Sequence, residues 1–539
     1  MPDEVDRGPI APAPAGSGGS HHAWGQVRWL TGPAAALAAL GIFLSLLMGS
    51  LDQFVVLNAL PNIVVDIGQP NGITFIVTSY LITSTVAVPI FARLSDILSR
   101  RNIFLIGMGI FIAGSVLAGV SQDLNELIVF RGVQGFGSGC FFPVGISIIA
   151  VAFSPQRRAR LTGAFSGVFG IATVAGPFLG DYIVTHTTWR WVFYINIPIG
   201  ILGMAVIATS LGVLRPAQRE SFDALGAGLL TGWVGALMFA LFQVADAGWA
   251  WTDARVLGLL IAAAILLAVF LFWELRVDKP LLPLRLLGDR VVASSGAVAA
   301  LSRAAVFSLL TLISVYVGIV VYHGGAGAAD AVRNMLYFMV LPMVLGALVG
   351  GQGLTRVSYR SLVAGGLAIA TVGLYFLTLV TASTPLWTFW DGFLPVGGIV
   401  LPLIPIGFGI GLTFGPTTIA VQFRVPPKDV GQATGLVQFL GTLGASIALP
   451  IFSTYQAWRA TSLAPDPPAA ACFAPSAASA CTTQVTAYDQ GFVHAVVTSY
   501  IDVFTIMVVL SGVALVASLF LRGRLPKDQS PRGSGPGTE

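Results

Sequence analysis

The chain has 539 residues, of which 55% are apolar and only 10% are charged, whereas about 25% of the residues in an ordinary soluble protein are charged. This composition excludes a soluble enzyme, and it also excludes a disordered or fibrous protein. The formal net charge of +4 says little about partners, because basic residues mark the sidedness of a membrane protein. We therefore expect an all-α polytopic membrane protein.

Motifs for ATP or metal chemistry are not found in the sequence. None of the three lysines, Lys279, Lys428 and Lys527, follows a glycine, as the lysine of a Walker-type phosphate loop does. The five histidines have no metal-ligand spacing beyond one pair in the N-terminal tail. We expect neither an enzyme nor a cofactor or metal, and no nucleic-acid partner.

Apolar stretches long enough to cross about 30 Å of hydrocarbon recur along the chain. They follow a tail, residues 1–31, that is rich in Pro, Gly, Ala and Ser and is expected to be disordered. The fourteen predicted spans are 34–60, 72–91, 103–120, 126–152, 161–184, 191–213, 225–245, 256–273, 291–320, 333–353, 361–381, 393–418, 431–453 and 492–520.

The distribution of Lys and Arg predicts which side of the membrane each loop occupies. With the N-terminus in the cytoplasm, most of the 28 Lys and Arg residues fall in cytoplasmic loops and tails. Arg190, Arg255, Arg333 and Arg459 fall in outer loops. This bias follows the positive-inside rule, so both termini are expected to be cytoplasmic.

The loop between the second and third spans carries one acid, Asp96, among three arginines, Arg93, Arg100 and Arg101. The simpler interpretation is an anchor on the positive side of the membrane. The alternative is a gating latch, in which Asp96 binds an arginine or the N-terminus of a neighbouring helix, because the helix dipole favours a carboxylate.

Two polar features lie inside the fourth and fifth spans. Arg131 begins the run R-G-V-Q-G-F-G, and an arginine in hydrocarbon is costly enough to require a partner or an interior cavity. It belongs either to a structural ion pair or to a functional site. The fifth span contains Gly176, Pro177 and Gly180 in the run G-P-F-L-G, followed directly by Asp181.

These runs resemble motifs of the major facilitator superfamily. Residues 92–101 resemble G-x-L-x-D-R-x-G-R-R, with Ala92 and Ser99 in place of the glycines and Ile97 in place of a basic residue. Residues 131–137 resemble R-x-x-Q-G-x-G. Residues 176–180 resemble the antiporter motif G-P-x-x-G-G, whose last glycine is Asp181 here.

Two further runs resemble the fourteen-span drug:proton antiporter branch of that superfamily. Residues 189–200 closely match W-R-W-x-F-x-I-N-x-P-x-G. Residues 51–61 resemble L-D-x-T-x-V-N-x-A-L-P, with Phe54 in place of the threonine and an asparagine one residue late, at Asn58.

The resemblance implies the major facilitator fold, with 14 transmembrane helices as two six-helix bundles plus two inserted central helices. Residues 32–214 would form the N-terminal bundle, and 215–290 the inserted helices with a cytoplasmic linker. Residues 291–521 would form the C-terminal bundle with an extracytoplasmic loop at 454–490, and 522–539 a cytoplasmic tail.

The charges inside the predicted spans are few. Asp52, Arg131, Asp181 and Asp502 are predicted about 5–15 Å to the outer side of the midplane, and Arg303 close to the midplane. We expect the first four to share a polar cavity, with Asp52 carrying the proton and Arg131 tuning it. Asp181 or Asp502 could share that role. Asp52 and Arg303 are the candidates for the substrate cavity.

The function these features favour is proton-coupled efflux of lipophilic small molecules across the inner (cytoplasmic) membrane, driven by the proton gradient alone. The alternative is a lipid or cell-envelope precursor translocase of the same fold. Three interior acids suit cations and two interior arginines suit anions, so the charge of the substrate stays open. We expect a monomer in contact with protons, substrate and lipid bilayer, with an adaptor protein as a further partner in a double-membraned host.

The chain contains three cysteines. Cys472 and Cys481 lie in the outer loop, where an oxidising environment permits a disulfide. Two idle thiols are the alternative. Cys140 lies in the fourth span and is expected to pack as an apolar side chain.

Overall fold

A computed structural model describes residues 32–67, 73–212, 221–245, 248–317, 328–354, 356–380, 398–426, 429–463, 490–521 and 523. Every element within these ranges is helical. The N-terminal part contains α1 (Gly32–Ile67), α2 (Ile73–Ile97), α3 (Arg100–Val120), α4 (Leu124–Ser138), α5 (Phe141–Ala152), α6 (Pro155–His186), α7 (Trp191–Tyr194) and α8 (Asn196–Ser210).

The rest of the described chain continues the same pattern. It contains α9 (Ala224–Ala245), α10 (Ala254–Arg276), a 3-10 helix (Leu284–Gly288), α11 (Arg290–Tyr316), α12 (Ala328–Gly353), α13 (Tyr359–Leu377), α14 (Val400–Arg424), α15 (Val430–Leu463) and α16 (Gln490–Ser518).

Thirteen segments of the described chain are helical, long and apolar enough to cross a membrane. The fourth predicted span is formed by α4 and α5, and the sixth by α7 and α8. Helix α6, with 32 residues, is not one of the thirteen, but it occupies the predicted fifth span and packs between α1 and α12. The expectation of an all-helical polytopic membrane fold is confirmed.

Aspartate side chains cap the first turns of α4 and α11. Asp123 accepts a hydrogen bond from the Glu126 backbone N–H at the start of α4, and Asp289 accepts from Val291 at the start of α11. Each cap satisfies a backbone N–H that has no partner within its own helix. The starts of α4 and α11 are therefore fixed locally by these two aspartates.

The helices pack in two groups with a pair between them. In the N-terminal part α1 packs on α6 and α8, and α4 packs on α2 and α3. In the C-terminal part α12 and α13 pack on α14, and α11 packs on α15 and α16. Helices α9 and α10 pack on each other, and α9 also lies against α2 and α15. The two groups meet where α6 contacts α12 and where α2 contacts α15.

Two glycines of α14 explain one close helix contact. A Cβ atom at Gly407 or Gly411 would collide with the backbone oxygens of Met339 and Met343 on α12. Small residues let helix backbones approach this closely in a membrane. These glycines therefore belong to packing within the C-terminal group, and not to the surface between the two groups.

Candidate functional site

The strongest candidate site is a buried ion pair in the N-terminal group. Arg131 on α4 donates through Nη1 to Asp52 Oδ2 on α1 at 2.6 Å. The two side chains are 3% and 0% exposed. Removing two charges from water is expensive unless the geometry is good and the remaining polar atoms are satisfied, so the surroundings of the pair matter.

Two amides complete the hydrogen bonding of the Asp52 carboxylate. Gln134 Nε2 and Asn196 Nδ2 each donate to Asp52 Oδ1 at 2.8 Å. Ser115 Oγ on α3 accepts from both amides, at 2.7 and 3.3 Å, and Gln134 Oε1 accepts from Arg131 at 2.6 Å. Side chains from α1, α3, α4 and α8 thus form one buried polar network.

Aromatic rings enclose the arginine of this network. The Arg131 guanidinium carbon lies 4.2 Å from the centre of the Tyr80 ring and 5.7 Å from that of Phe193. The Tyr80 hydroxyl donates to the Gly49 carbonyl oxygen at 3.4 Å. Cation–π contact stabilises a cation that has lost its water. The Arg131 side chain is 3% exposed, and its Nε has no hydrogen-bond partner among the described residues.

Sequence reasoning did not assign a role to four of these residues. Gln134 and Asn196 lie within the quoted runs at 131–137 and 189–200, and their presence there was the available signal. Ser115 stands in a mostly apolar helix and Tyr80 is one of several hydroxyl-bearing residues of α2, and nothing in the sequence marked either of them.

The other predicted proton-coupling acids lie elsewhere. Asp181 is exposed near the outer end of α6. Asp502 on α16 accepts from Arg459 Nε at 2.7 Å, and both side chains are about one-third exposed. Of the four charges expected to share a cavity, the structure brings together Asp52 and Arg131, and it pairs Asp502 with Arg459 instead.

The boundary of α15 explains that second pairing. The thirteenth span was predicted at 431–453, which left Arg459 in an outer loop, but α15 continues to Leu463. Arg459 therefore lies on the helix, one turn from its end, and reaches Asp502 on the neighbouring helix.

The glycines of the antiporter-like run bring α6 against α1. A Cβ atom at Gly176 would collide with Phe54, two residues after Asp52. Gly180 is also buried, and Pro177 lies between them within α6. This run therefore places α6 beside the segment of α1 that carries the candidate site.

Arg303, the second intramembrane arginine, lies on α11 in the C-terminal group. Its Nη2 donates to Gln438 Oε1 on α15, and its guanidinium carbon is 5.6 Å from the centre of the Phe414 ring. Arg303 and Asp52 thus belong to different helix groups.

A second charged cluster closes the end of the molecule predicted to be cytoplasmic. Asp96 Oδ1 accepts from Arg100 Nη2 at 2.6 Å. Asp96 Oδ2 accepts from the backbone N–H of Gln432, in the first turn of α15, at 2.9 Å. The arginine and the helix N-terminus, which the sequence offered as alternatives, both bind Asp96.

The neighbouring arginines fix this loop to the N-terminal group. Arg100 Nε donates to Ser147 Oγ at 2.7 Å, and Arg101 Nη2 donates to the Ala208 carbonyl at 2.6 Å. The Arg93 side chain is buried in α2. We call Asp96, Arg100 and the Gln432 N–H the cytoplasmic contact.

Further contacts across the two groups lie at the same end. A Cβ atom at Gly435 would collide with Ala92, and the Arg158 guanidinium lies 5.1 Å from the centre of the Phe423 ring. These contacts, together with the cytoplasmic contact, join the two helix groups at the predicted cytoplasmic end.

The structure describes one of the three cysteines, Cys140. Cys140 is buried and unpaired, against Gly107 of α3. Cys472 and Cys481 lie outside the described residues, so their disulfide stays a prediction.

Comparison with known proteins identifies the family. The sequence model of the Major Facilitator Superfamily matches residues 42–449. The chain belongs to this superfamily. As a member of the superfamily, it is a membrane transporter and not an enzyme.

Individual relatives agree with this family. Multidrug resistance protein 3 of Bacillus subtilis is 30% identical over 77% of this chain and 78% of its own length. The multidrug transporter protein MdtP of the same organism is 29% identical over 79% and 76%. The crystal structure of the human organic anion transporter MFSD10 superposes with a TM-score of 0.57 at 13% identity, covering 89% of this chain and 100% of that one. This structural likeness concerns the fold alone.

Proposed function

We propose that the chain is a proton-coupled antiporter that exports lipophilic small molecules across the cytoplasmic membrane by alternating access. The observation that carries this proposal is the enclosed pair of Asp52 and Arg131, a titratable acid and its counter-charge in the interior of the N-terminal helices. The names of the two Bacillus subtilis relatives, a multidrug resistance protein and a multidrug transporter, favour export of lipophilic compounds.

Proton binding at this pair would change the conformational energy of the transporter. A proton on Asp52 removes the counter-charge of Arg131, and leaving one half of a buried ion pair uncompensated costs about 3–5 kcal/mol. A shift of about 5.5 kcal/mol turns a two-state population from 1:99 to 99:1. Protonation would thus supply most of the free energy needed to disfavour the present arrangement.

The cycle follows from the two sites together. Asp52 is enclosed while the cytoplasmic contact is formed, so the cycle requires its enclosure to open toward the outer side, where protons are more available, for Asp52 to take a proton. The two helix groups then rock, and the cytoplasmic contact breaks. Asp52 releases its proton inward, and the lipophilic substrate binds and is carried out. The proton gradient drives the cycle and no cofactor takes part.

The remaining partners are those that the sequence favours. We propose a monomer, with helices α9 and α10 inserted between the two groups and the apolar side chains of α10 facing lipid. An adaptor protein would join it in a host with two membranes.

The test is transport in proteoliposomes with an imposed pH gradient, comparing wild type, Asp52→Asn and Asp181→Asn. Both variants replace an acid by its amide, but Asp181 is exposed at the end of α6. We expect gradient-dependent movement of lipophilic dyes by wild type and by Asp181→Asn, and none by Asp52→Asn.

Two results would contradict the proposal. Dye movement that ignores both the gradient and Asp52 would remove the coupling role and would bring the lipid or envelope-precursor translocase forward. Loss of coupling in Asp181→Asn with normal coupling in Asp52→Asn would move the proton to α6.

A further inference from the structure

The charge that the substrate must carry is suggested by the surroundings of Arg303. This residue lies near the middle of α11, on a row of half-buried residues that recurs every three or four positions along the helix. The row comprises Ala300, Arg303, Phe307, Thr311 and Ser314. One face of α11 is thus partly open, and Arg303 is the charge on that face.

This open face borders an internal space and not the lipid. From Val291 to Tyr316 no side chain of α11 is fully exposed. Helix α10 has the opposite pattern, since Leu257, Ile261, Ile265 and Val269 are 45–60% exposed at a spacing of four, as expected for a helix that faces lipid. The partial exposure of Arg303 therefore lies on a face of α11 that is packed among other helices.

The described residues leave most of the Arg303 guanidinium without an acceptor. Gln438 accepts one N–H and Phe414 covers a face of the group, but no described carboxylate lies within 4.0 Å of it. Guanidinium carries five N–H donors in a planar fork that suits bidentate binding of a carboxylate, sulfonate or phosphate. An arginine without a counter-charge in a membrane is expensive and marks a substrate or ion pathway.

The other four charges predicted inside the spans are either paired or exposed in the described part of the chain. Asp52 is bound by Arg131 and is fully enclosed, while Asp502 is bound by Arg459. Asp181 lies exposed near the end of its helix. Of the five charges predicted inside the spans, Arg303 is the one that is neither exposed nor paired with a counter-charge in the described chain. Glu274, near the end of α10, is also buried without a described cation, and it accepts a hydrogen bond from the Leu282 backbone N–H.

We propose that the exported substrate is an organic anion, an apolar body carrying a carboxylate, sulfonate or phosphate, and that Arg303 binds the anionic group. This inference rests on the proposed efflux function and names its substrate class. Phe414 and the apolar residues of α11 contact the body of the substrate, and Gln438 holds Arg303 in position.

The test measures equilibrium binding to the full-length protein in lipid nanodiscs, without any gradient. The probes are anilinonaphthalene sulfonate, an apolar anion, and tetraphenylphosphonium, an apolar cation. We expect wild type to bind the sulfonate in preference, and Arg303→Gln to weaken sulfonate binding at least tenfold while leaving the cation unaffected. Arg303→Lys keeps the charge but loses the planar fork, and we expect an intermediate loss.

A variant that moves the positive charge to the other side of the same contact is the control for loss of folding. The double variant Arg303→Gln with Gln438→Arg exchanges the two partners between α11 and α15, and we expect it to recover sulfonate binding. Gly441→Ala is a second probe of the position of Arg303, because the added Cβ would push against the Arg303 side chain. Gly512→Ala is the matched control, because its added Cβ would meet no atom within 4 Å.

Three results would overturn the proposal: preference of wild type for the cation, absence of sulfonate binding, or equal loss of both probes in Arg303→Gln. The proposed function fails by a different route. If sulfonate binds through Arg303 but its transport ignores the pH gradient, the antiport cycle is wrong and the anion site stands. If the gradient drives export of the cation alone, antiport stands and the anion site is wrong.

Discussion

The Asn196 side-chain amide donates to the Asp52 carboxylate at 2.8 Å, although 144 residues separate the two in the chain. Asn196 is the first residue of α8, and Asp52 lies in the middle of α1. The bond fixes one oxygen of the carboxylate, while Arg131 binds the other. Asn196 is therefore a positioning residue that holds Asp52 toward its counter-charge.

We expect Asn196→Ala to destabilise the protein, because it removes a donor from a buried carboxylate. An unsatisfied buried polar group costs about 1–3 kcal/mol, and more when the group is charged. In an Asp52→Leu background the acceptor is gone, so the same change is expected to cost much less. Unfolding free energies of the four proteins in one detergent give the coupling between the two positions.

The control for that cycle is Thr209→Ala on the same helix, since the Thr209 hydroxyl is exposed and bonds to its own helix backbone. It is expected to cost little in either background. Strictly additive effects of Asn196→Ala and Asp52→Leu would contradict a positioning role for Asn196.

A second prediction separates stability from transport at the ion pair. Arg131→Met alone is expected to destabilise the protein by about 3–5 kcal/mol, because it leaves the Asp52 carboxylate buried without its cation. Asp52→Leu together with Arg131→Met removes both charges, and apolar replacement of a whole buried pair is often neutral or stabilising. We expect the double variant to regain thermal stability in detergent.

Transport is expected to behave differently in the same variants. The double variant has no group to carry a proton at this site, so gradient-driven dye export in proteoliposomes should stay absent. Recovery of export together with stability would make the pair purely structural, which was the alternative offered by the sequence for Arg131.

The sequence predicted the depth of the charged residues in the membrane better than it predicted which of them contact each other. The positions of Asp52 and Arg131 within their spans predicted a shared depth, and the two residues do meet. Asp181 was placed at a similar depth but is exposed. Span position predicts the depth of a residue, whereas the rotation of each helix, set by packing against its neighbours, decides which face it occupies.

The polar partners were beyond sequence reasoning for a related reason. Neither the single hydroxyl of Ser115 on α3 nor the Tyr80 ring among the several hydroxyl-bearing residues of α2 carries a periodic signal. Each gains a role only when a polar or charged side chain of another helix packs beside it. The Asp502–Arg459 pair was missed because the apolar stretch ends before the helix does. The helical polytopic class was predictable because length and hydropathy alone constrain membrane helices strongly, whereas the major facilitator fold was implied by the resemblance of the motifs.

A third prediction concerns the cytoplasmic contact. A Cβ atom at Gly431 would collide with both Asp96 carboxylate oxygens, so Gly431→Ala is expected to separate Asp96 from the Gln432 N–H. Asp96→Ala removes the acceptor directly. Both variants should favour opening at the predicted cytoplasmic end, because they weaken a contact that joins α2 to α15.

The measurement is alkylation of a single cysteine placed at Thr434, a buried position on α15, by a membrane-impermeant maleimide added from the cytoplasmic side. We expect faster labelling in both variants than in the parent. Gly365→Ala is the matched control, since its Cβ would meet no atom within 4 Å. Unchanged labelling in Asp96→Ala would show that this contact does not keep the cavity closed.

A fourth prediction concerns pH and uses Asp66, which lies on α1 beyond the apolar span Gly32–Val56. Hydrogen bonds from Trp189 Nε1 at 2.8 Å and Arg190 Nη1 at 3.0 Å hold the pKa of Asp66 below its ordinary value. A lowered pKa in the folded protein gives a stabilisation that is complete above the unfolded pKa of about 3.9 and is lost as the pH falls through the lower folded value. The Asp66 side chain is 52% exposed, so the effect is at most about 1 kcal/mol.

We expect Asp66→Asn to lower the melting temperature at pH 7 and to have a smaller effect at pH 3. Arg190→Gln should remove less of this pH-dependent stabilisation than Asp66→Asn does, because the hydrogen bond from Trp189 is the larger cause of the lowered pKa of Asp66. A melting-temperature difference that is the same at pH 3 and pH 7 would mean that the carboxylate charge of Asp66 contributes nothing to the stability of this contact.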